Sequence, residues 1–586
     1  MPSSSHPPGP VTPSPRRQAS RRIFGIRPIS YRIDKRSSRT SAHSRSQSLP
    51  ELLDLITMPS PTTAMGPLPP SDEEARLYYY GLGNEPRLVA RSSTEPWAFV
   101  GQSRWPLAKS LDPVGKHAVV TLWNSAGPLR QEIIEALDGV SWSAVDILRL
   151  GYLPTGDEAE SPVTLFISVE AGSTPWVRGH SVVTRCREIL QRHKIHDVHV
   201  EMKESRLIQS ASTPSQLVSD PLAYPIELTS LLSEFLGVSI APLSALRHEG
   251  TKGLYLRCRQ TGTVFVLTCR HVVFDSNINQ DYRHASATPQ SVVQPGDTTL
   301  EKLKHDFVSE LDVIETVLQS RQGDPRPSTQ SVVKENLDDK NTCISIIQTL
   351  DDLLQNPATR ILGHVAFSPK LSLGKAESGA GRMRDWALIE LHPGRHQTQL
   401  DALENKAFVG TGNRRIANAA MEAETRPCDR GSAKRKVALE FQPATCTVLV
   451  KGATPITEHE LKHPSIDLVS LDEPSTIVAK AGRSTCLTFG VTNEVKSITR
   501  KPIIGETKYL SEELCILGHK QNGAGRAPFS EGGDSGSCVF DLRGCVCAMM
   551  TGGLGTGNGA LDTTYATPIE WLLDDIRQHG YDVEIV

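Results

Sequence analysis

The chain has 586 residues, a net charge of -3 and a hydrophobic content of 38%, which is too long for a single core and suits two to four units of about 150 residues plus tails. The near-neutral balance gives the chain no polyanion-binding character, and with aromatics at 5% there is no stacking platform for single-stranded nucleic acid. No run approaches the roughly 18 apolar residues of a membrane span; no nucleic-acid or membrane partner is expected.

In chain order, residues 1–75 are rich in Ser, Pro and Arg and almost free of acid before Glu51. Such a segment buries too little apolar surface to offset its ordering entropy, so a disordered basic tail is expected. No apolar leader is visible at its start. The 11 cysteines, odd in number and scattered, therefore read as free thiols in an intracellular compartment, cytoplasmic or nuclear.

Residues 76–205 read as an α+β unit. The segments 116–124, 144–152, 162–170 and 195–202 have the texture of strands. The segments 128–138 and 180–193 carry apolar stripes at helical spacing: Leu129, Ile133, Ile134 and Leu137, then Val182, Cys186, Ile189 and Leu190. The order β-α-β-β-α-β predicts a ferredoxin-like domain. It carries no catalytic constellation, and a regulatory partner is the expected use. A polar, Pro-punctuated linker follows at 206–225.

From 226 to 586 the pattern becomes one of short alternating segments separated by turns, as in an all-β barrel or sandwich. Residues 299–320 and 338–358 predict helices, a hairpin inserted at about 298–358, and 410–440 is a polar, basic insert. Three segments carry chemistry. VFVLTCRHVVF runs a strand into His271, GRMRDWALIEL opens a strand at Asp385, and EGGDSGSCVF sets Ser535 in a Gly-rich turn before a strand. A serine hydroxyl is a weak nucleophile and needs a neighbouring base. An imidazole takes the proton and returns it to the leaving group, and a carboxylate fixes its tautomer.

These pieces resemble the chymotrypsin-like serine peptidases. Gly533-Asp534-Ser535-Gly536 is similar to their nucleophile loop, Thr268 to Val273 to the histidine motif of intracellular, bacterial and viral members, and Asp385-Trp386-Ala387-Leu388-Ile389 to their aspartate strand. The order His, Asp, Ser is theirs as well. Gly482-Arg483-Ser484-Thr485, Met550-Thr551-Gly552-Gly553 and Tyr565-Ala566-Thr567-Pro568-Ile569 match further stretches, the last leading into a helix with Ile569, Leu572, Leu573 and Ile576 on one face. The resemblance implies two antiparallel six-stranded barrels with the site between them and a serine endopeptidase without a cofactor, acting on polypeptide. It implies Ser535 as nucleophile, His271 as acid/base and Asp385 as orienter. It also implies an oxyanion hole from the N–H groups of Gly533 and Ser535, and substrate contacts at Phe529, Thr551, Gly552 and Gly553. With Phe529 at the pocket base, a small or apolar substrate side chain is expected rather than Arg or Lys.

Two departures stand out. No Arg-Ile-Val-Gly-Gly-type start occurs, Ser239-Ile240-Ala241-Pro242 lying near where it would fall, so a group other than a freed N-terminus must hold Asp534. Arg270 also puts a cation beside the base, which disfavours imidazolium unless the side chain points away. Two other readings compete. The same fold can serve as a catalytically silent scaffold. His459-Glu460-Leu461-Lys462-His463 spells the zincin motif HExxH, but Pro455 and Pro464 bracket it, so an exposed loop between strands is expected and no metal. The Gly-rich 552–559 stretch opens no helix and predicts no phosphate site.

Overall fold

The structure, a computed structural model, describes residues 68–586 except 96, 98–105, 126, 154–160, 209–230, 276, 286–287, 324, 376–380, 409–438, 440, 443–446, 452–454, 464–474, 502–508, 522–524 and 556–560. The tail expected over 1–75 falls outside the described residues as far as 67, as do the linker from 209 and most of the 410–440 insert. The described residues from 68 onward form one unit.

The α+β region places strands Arg87–Arg91, His199–Glu204, Val163–Val169 and Trp142–Tyr152 side by side in that order, with Lys109–Asp112 paired to the last. Helix Trp176–Arg192 joins Val163–Val169 to His199–Glu204, which are direct neighbours and parallel. In a split βαβ unit another strand comes between such a pair, so the ferredoxin-like expectation is corrected to an unsplit βαβ with flanking antiparallel strands.

A second correction concerns 116–124. Residues Ala118–Asn124 are a helix, with the His117 imidazole accepting from the Val119 N–H at 3.1 Å. Val119 and Trp123, four apart and therefore on one face, are both fully buried. The Trp123 indole N–H donates to the Lys496 carbonyl, 3.0 Å away. The run AVVTLW has strand propensity, and a long-range hydrogen bond and burial override it.

The C-terminal half is built of two large sheets. In one, strands Ile477–Gly482, Cys538–Asp541, Val546–Gly555, Thr563–Pro568, Tyr509–Gly518 and Cys486–Thr492 pair in sequence and close on themselves, every pairing antiparallel. Closure removes free edges. In the other, the path runs Val583–Ile585, Tyr255–Cys258, Val264–Thr268, Ala387–Leu391, Ile361–Ser368, Ser291–Val293 and Ser239–Pro242.

Strand Ser497–Lys501 extends the first sheet onto the α+β region, with Ile498 opposite Val145 and Thr499 opposite Ala144. The two parts therefore share one sheet, and Val495 and Ile498 lie in the α+β core.

Between the Ser291–Val293 and Ile361–Ser368 strands stand the expected helices, Asp297–Ser320 and Pro327–Gln355. The second begins earlier than periodicity indicated, with Pro327 at its first position, where the missing N–H costs nothing. Leu300, Leu303 and Phe307 pack against Ile346 and Leu350. The C-terminal helix is Ile569–Gln578 and buries Ile569, Leu572, Leu573 and Ile576. No helix among the described residues is long and apolar enough to cross a membrane, and the nine described cysteines form no disulfide with one another.

Candidate active site

Strand pairing brings His271 and Asp385 together. Val264–Thr268 runs antiparallel to Ala387–Leu391 with Thr268 opposite Ala387, so the chain leaving the first strand meets the chain entering the second at one sheet end. His271 lies beyond the strand, in a single helical turn, Arg270–Val273. Its Nδ1 is 2.8 Å from Asp385 Oδ2, and its backbone N–H donates to Oδ1 at 3.1 Å. An ionised carboxylate only accepts. Nδ1 therefore carries the proton, and the lone pair sits on Nε2. That nitrogen is buried and has no hydrogen-bond partner, a state that costs about 1–3 kcal/mol.

Arg270 turns away from the histidine, because successive residues of a helical turn diverge. Its guanidinium donates to Ser368 Oγ at 2.9 Å and to the carbonyls of Ile278 and Gln280, each at 2.9 Å, and lies 4.7 Å from the Phe274 ring centre. Burial lowers its pKa, with Asp385 acting in the opposite sense. Behind Asp385, the Trp386 indole N–H donates to Asp575 Oδ2 at 2.9 Å, which ties the segment to the C-terminal helix.

The Ser535 loop meets the histidine segment on one carbonyl. Met550 O accepts from Gly536 N–H at 2.9 Å and from the Cys269 thiol at 3.2 Å. The ligand atoms of Cys269, His271 and Asp385 lie within 4.8 Å of one another, but the imidazole and carboxylate already bond each other and the thiol is engaged. Thr251 staples the loop from the other side: its N–H donates to the Ser535 carbonyl at 2.9 Å and its hydroxyl to the Gly533 carbonyl at 2.8 Å. Ser535 is fully buried, and its hydroxyl reaches the Thr551 carbonyl at 3.5 Å rather than His271 Nε2.

Gly533 has φ +101°, and a Cβ there would sit 2.1 Å from the Arg483 guanidinium, so only glycine fits. The N–H groups of Gly533 and Ser535 donate to no described residue, whereas those of Asp534, Gly536 and Ser537 are all engaged. Two such free, neighbouring donors are what an oxyanion requires.

Asp534, also fully buried, is held on every side. Oδ1 accepts from the N–H groups of Ser484 (2.8 Å) and Thr485 (3.4 Å), and Oδ2 from Thr485 Oγ1 (2.7 Å) and the Glu531 N–H (3.1 Å). The cation is the Lys480 ammonium, 3.0 Å from Oδ2, with both side chains at 0% exposure. Sequence reasoning left this position open. The one signal was a lysine in an otherwise apolar strand, IVAKAG, which needs a buried partner. The Gly-Arg-Ser-Thr turn thus serves to cradle Asp534. A Cβ on Gly482 would come within 2.4 Å of its carboxylate.

Thr551, Gly552 and Gly553 lie on strand Val546–Gly555, and Thr551 adjoins Ser535. Phe529 is 1% exposed in the core with Val478, Ile516 and Val539, and its carbonyl accepts from Thr488 Oγ1 at 2.7 Å. The loop expected over the HExxH stretch is instead a short helix, Glu458–Lys462, closed by a capping box. Glu460 reaches back to the Thr457 N–H at 3.0 Å and so serves its own helix end, while His459 and His463 are exposed with rings 4.8 Å apart.

No protein-family model matches this chain, and no curated protein matches it.

Proposed function

We propose that this chain is a serine endopeptidase with a chymotrypsin-like arrangement, a six-stranded barrel beside a second antiparallel sheet whose described strands follow an open path rather than a second six-stranded barrel, acting through an acyl-enzyme on Ser535. The observation that carries the reading is the Asp385–His271 pair, which leaves a buried lone pair on Nε2, in a segment tied through the Met550 carbonyl to the loop that carries the Ser535 hydroxyl and the N–H groups of Gly533 and Ser535, which donate to no described residue. The closed ring of six strands around 477–568 supports the barrel assignment.

In this mechanism a rotation about the Ser535 Cα–Cβ bond turns the hydroxyl from Thr551 towards Nε2. The oxygen attacks a peptide carbonyl carbon while Nε2 takes the proton, and Asp385 stabilises the resulting imidazolium. The tetrahedral oxyanion receives the Gly533 and Ser535 N–H groups. Nε2–H then protonates the leaving amine as the C–N bond breaks. Water, deprotonated by Nε2, attacks the acyl-enzyme and releases the carboxylic acid and the free hydroxyl. Phe529 supplies no charge for a basic side chain, which favours small or apolar residues at the cleaved bond.

A second reading, a peptidase-fold scaffold without turnover, is favoured by the Ser535 hydroxyl lying on Thr551 rather than on the imidazole. The third, zinc chemistry at His459 and His463, is opposed by the capping role of Glu460. The deciding experiment is hydrolysis of a diverse peptide mixture read by mass spectrometry. The endopeptidase reading expects internal cleavages that vanish in Ser535→Ala and persist with chelator. Cleavages that survive Ser535→Ala, or none from a folded wild type, would refute it.

A further inference from the structure

Strand Val546–Gly555 changes neighbours along one edge. Residues 546–549 pair with Cys538–Asp541, ending at Cys538 opposite Met549. Met550 is held by Ser537 and Gly536, and Thr551 meets the Ser535 hydroxyl. Beyond that point the other edge still pairs with Thr563–Pro568. The edge nearest the serine takes a different partner: strand Arg206–Ile208, antiparallel, with Arg206 opposite Gly555, Leu207 opposite Leu554 and Ile208 opposite Gly553.

This strand comes from the α+β region, one residue after His199–Glu204, where Ser205 is fixed by its N–H to the Val169 carbonyl at 2.9 Å. Leu207 packs on Ala144, Leu554 and Tyr565, and the Tyr565 hydroxyl donates to the buried Asp146 carboxylate at 2.9 Å. The α+β region therefore holds both the strand and the ring beneath it.

Direction is the informative feature. From Arg206 to Ile208 the chain runs from Gly555 towards Thr551, that is, towards Ser535. From Ile208 opposite Gly553, two residues of extended chain, about 7 Å, separate it from the register of Thr551. An extended polypeptide delivering a carbonyl to Ser535 would add to this same edge with this same polarity, in the manner of β-augmentation.

We infer that Arg206–Ile208 is a resident occupant of the acyl-side substrate edge, so that the chain is its own cleft's first polypeptide ligand and competes with peptides supplied in trans, slowing their entry. The inference rests on the peptidase reading and adds its regulation: a peptide gains the edge only when the strand leaves. In an antiparallel ladder alternate N–H groups face the partner. Prolines at both 207 and 208 therefore remove one donor towards Gly553–Gly555, whichever residue supplies it.

The test compares wild type with the double variant Leu207→Pro/Ile208→Pro, using a small alkyl fluorophosphonate that needs only Ser535 and a peptidyl phosphonate several residues long that needs the edge. The expected result is equal labelling by the small probe and labelling by the peptidyl probe at least tenfold faster in the variant. Equal rates with both probes would overturn the inference and leave the peptidase reading intact. No labelling of either folded protein by either probe would overturn both. Should the variant fold poorly, amide hydrogen exchange of the wild type decides: protection of the 206–208 amides without added peptide supports a resident strand, and free exchange there contradicts it.

Discussion

Lys480 and Asp534 are a buried ion pair whose members have no access to water. Removing one partner of such a pair leaves an uncompensated charge and costs about 3–5 kcal/mol. Lys480→Met is therefore expected to lower the unfolding free energy read from chemical denaturation by that amount and to reduce Ser535 reactivity, because the loop carrying Gly533 and Ser535 loses its anchor. Lys480→Met/Asp534→Asn removes the stranded charge, so the two effects are expected to be strongly non-additive in a double-mutant cycle. Additive losses would contradict the pairing. At the base, Asp385→Asn keeps the shape of the side chain but no longer requires the proton on Nδ1, and the peptidase reading expects turnover to fall on the order of 10⁴-fold with little change in melting temperature. These residues were legible to different degrees. His271, Asp385 and Ser535 each sit at a strand edge within a local motif. Thr251 acts on a loop 282 residues away with no local pattern to mark it, and Lys480 shows only as a lone cation in an apolar strand, its partner lying on a separate loop.

At the scale of elements, the short helix Glu458–Lys462 is pinned by charge. Arg382, with a fully buried side chain, holds both Glu458 and, at 3.3 Å, Glu512, while Lys496 binds Glu458 at 2.6 Å and Glu512 at 2.9 Å. Burial raises the Glu458 pKa, but hydrogen bonding and charge from Arg382 and Lys496 outweigh it and hold the carboxyl at about 2. A folded-state pKa below the unfolded one contributes stability that is present above the ordinary glutamate range and is lost as pH falls towards 2. The expected outcome is a melting temperature that falls between about pH 4.5 and 2 and a shallower fall in Glu458→Gln. Equal acid profiles for the two proteins would contradict the network. Periodicity found the elements whose buried face decides them, such as Ile569–Gln578 and the two inserted helices. It failed at Ala118–Asn124, where β-branched residues are held helical by Trp123 reaching Lys496 across the molecule. Trp123→Ala is expected to cost about 3–5 kcal/mol, read from urea unfolding.

At the scale of the whole molecule, the shared sheet decides how the chain behaves. Strand Trp142–Tyr152 pairs with Ser497–Lys501, Arg130 meets Glu512 at 2.7 Å and Arg526 meets Asp112 at 2.8 Å. The α+β region is thus part of the platform under the candidate site. Thermal unfolding of residues 68–586 is expected as one cooperative transition, and a chain trimmed to 226–586 is expected to expose Val495 and Ile498 and to lose solubility. Two separate transitions, or a stable soluble trimmed chain, would contradict this coupling. Composition and texture divided the chain into an α+β part and a β-rich part, but they carried no sign that one sheet runs through both. Strand pairing between distant segments is set by edges that form only after each part has folded.

Peptidase activity requires that Asp385 and His271 make the Ser535 hydroxyl a nucleophile. The most direct measurement is mass-spectrometric mapping of the adduct formed with a fluorophosphonate on wild type, His271→Ala and Ser535→Ala. The expected result is one phosphonyl group per wild-type chain, located on Ser535, and none on either variant. A folded wild type that stays unmodified, or equal modification of His271→Ala, would contradict it.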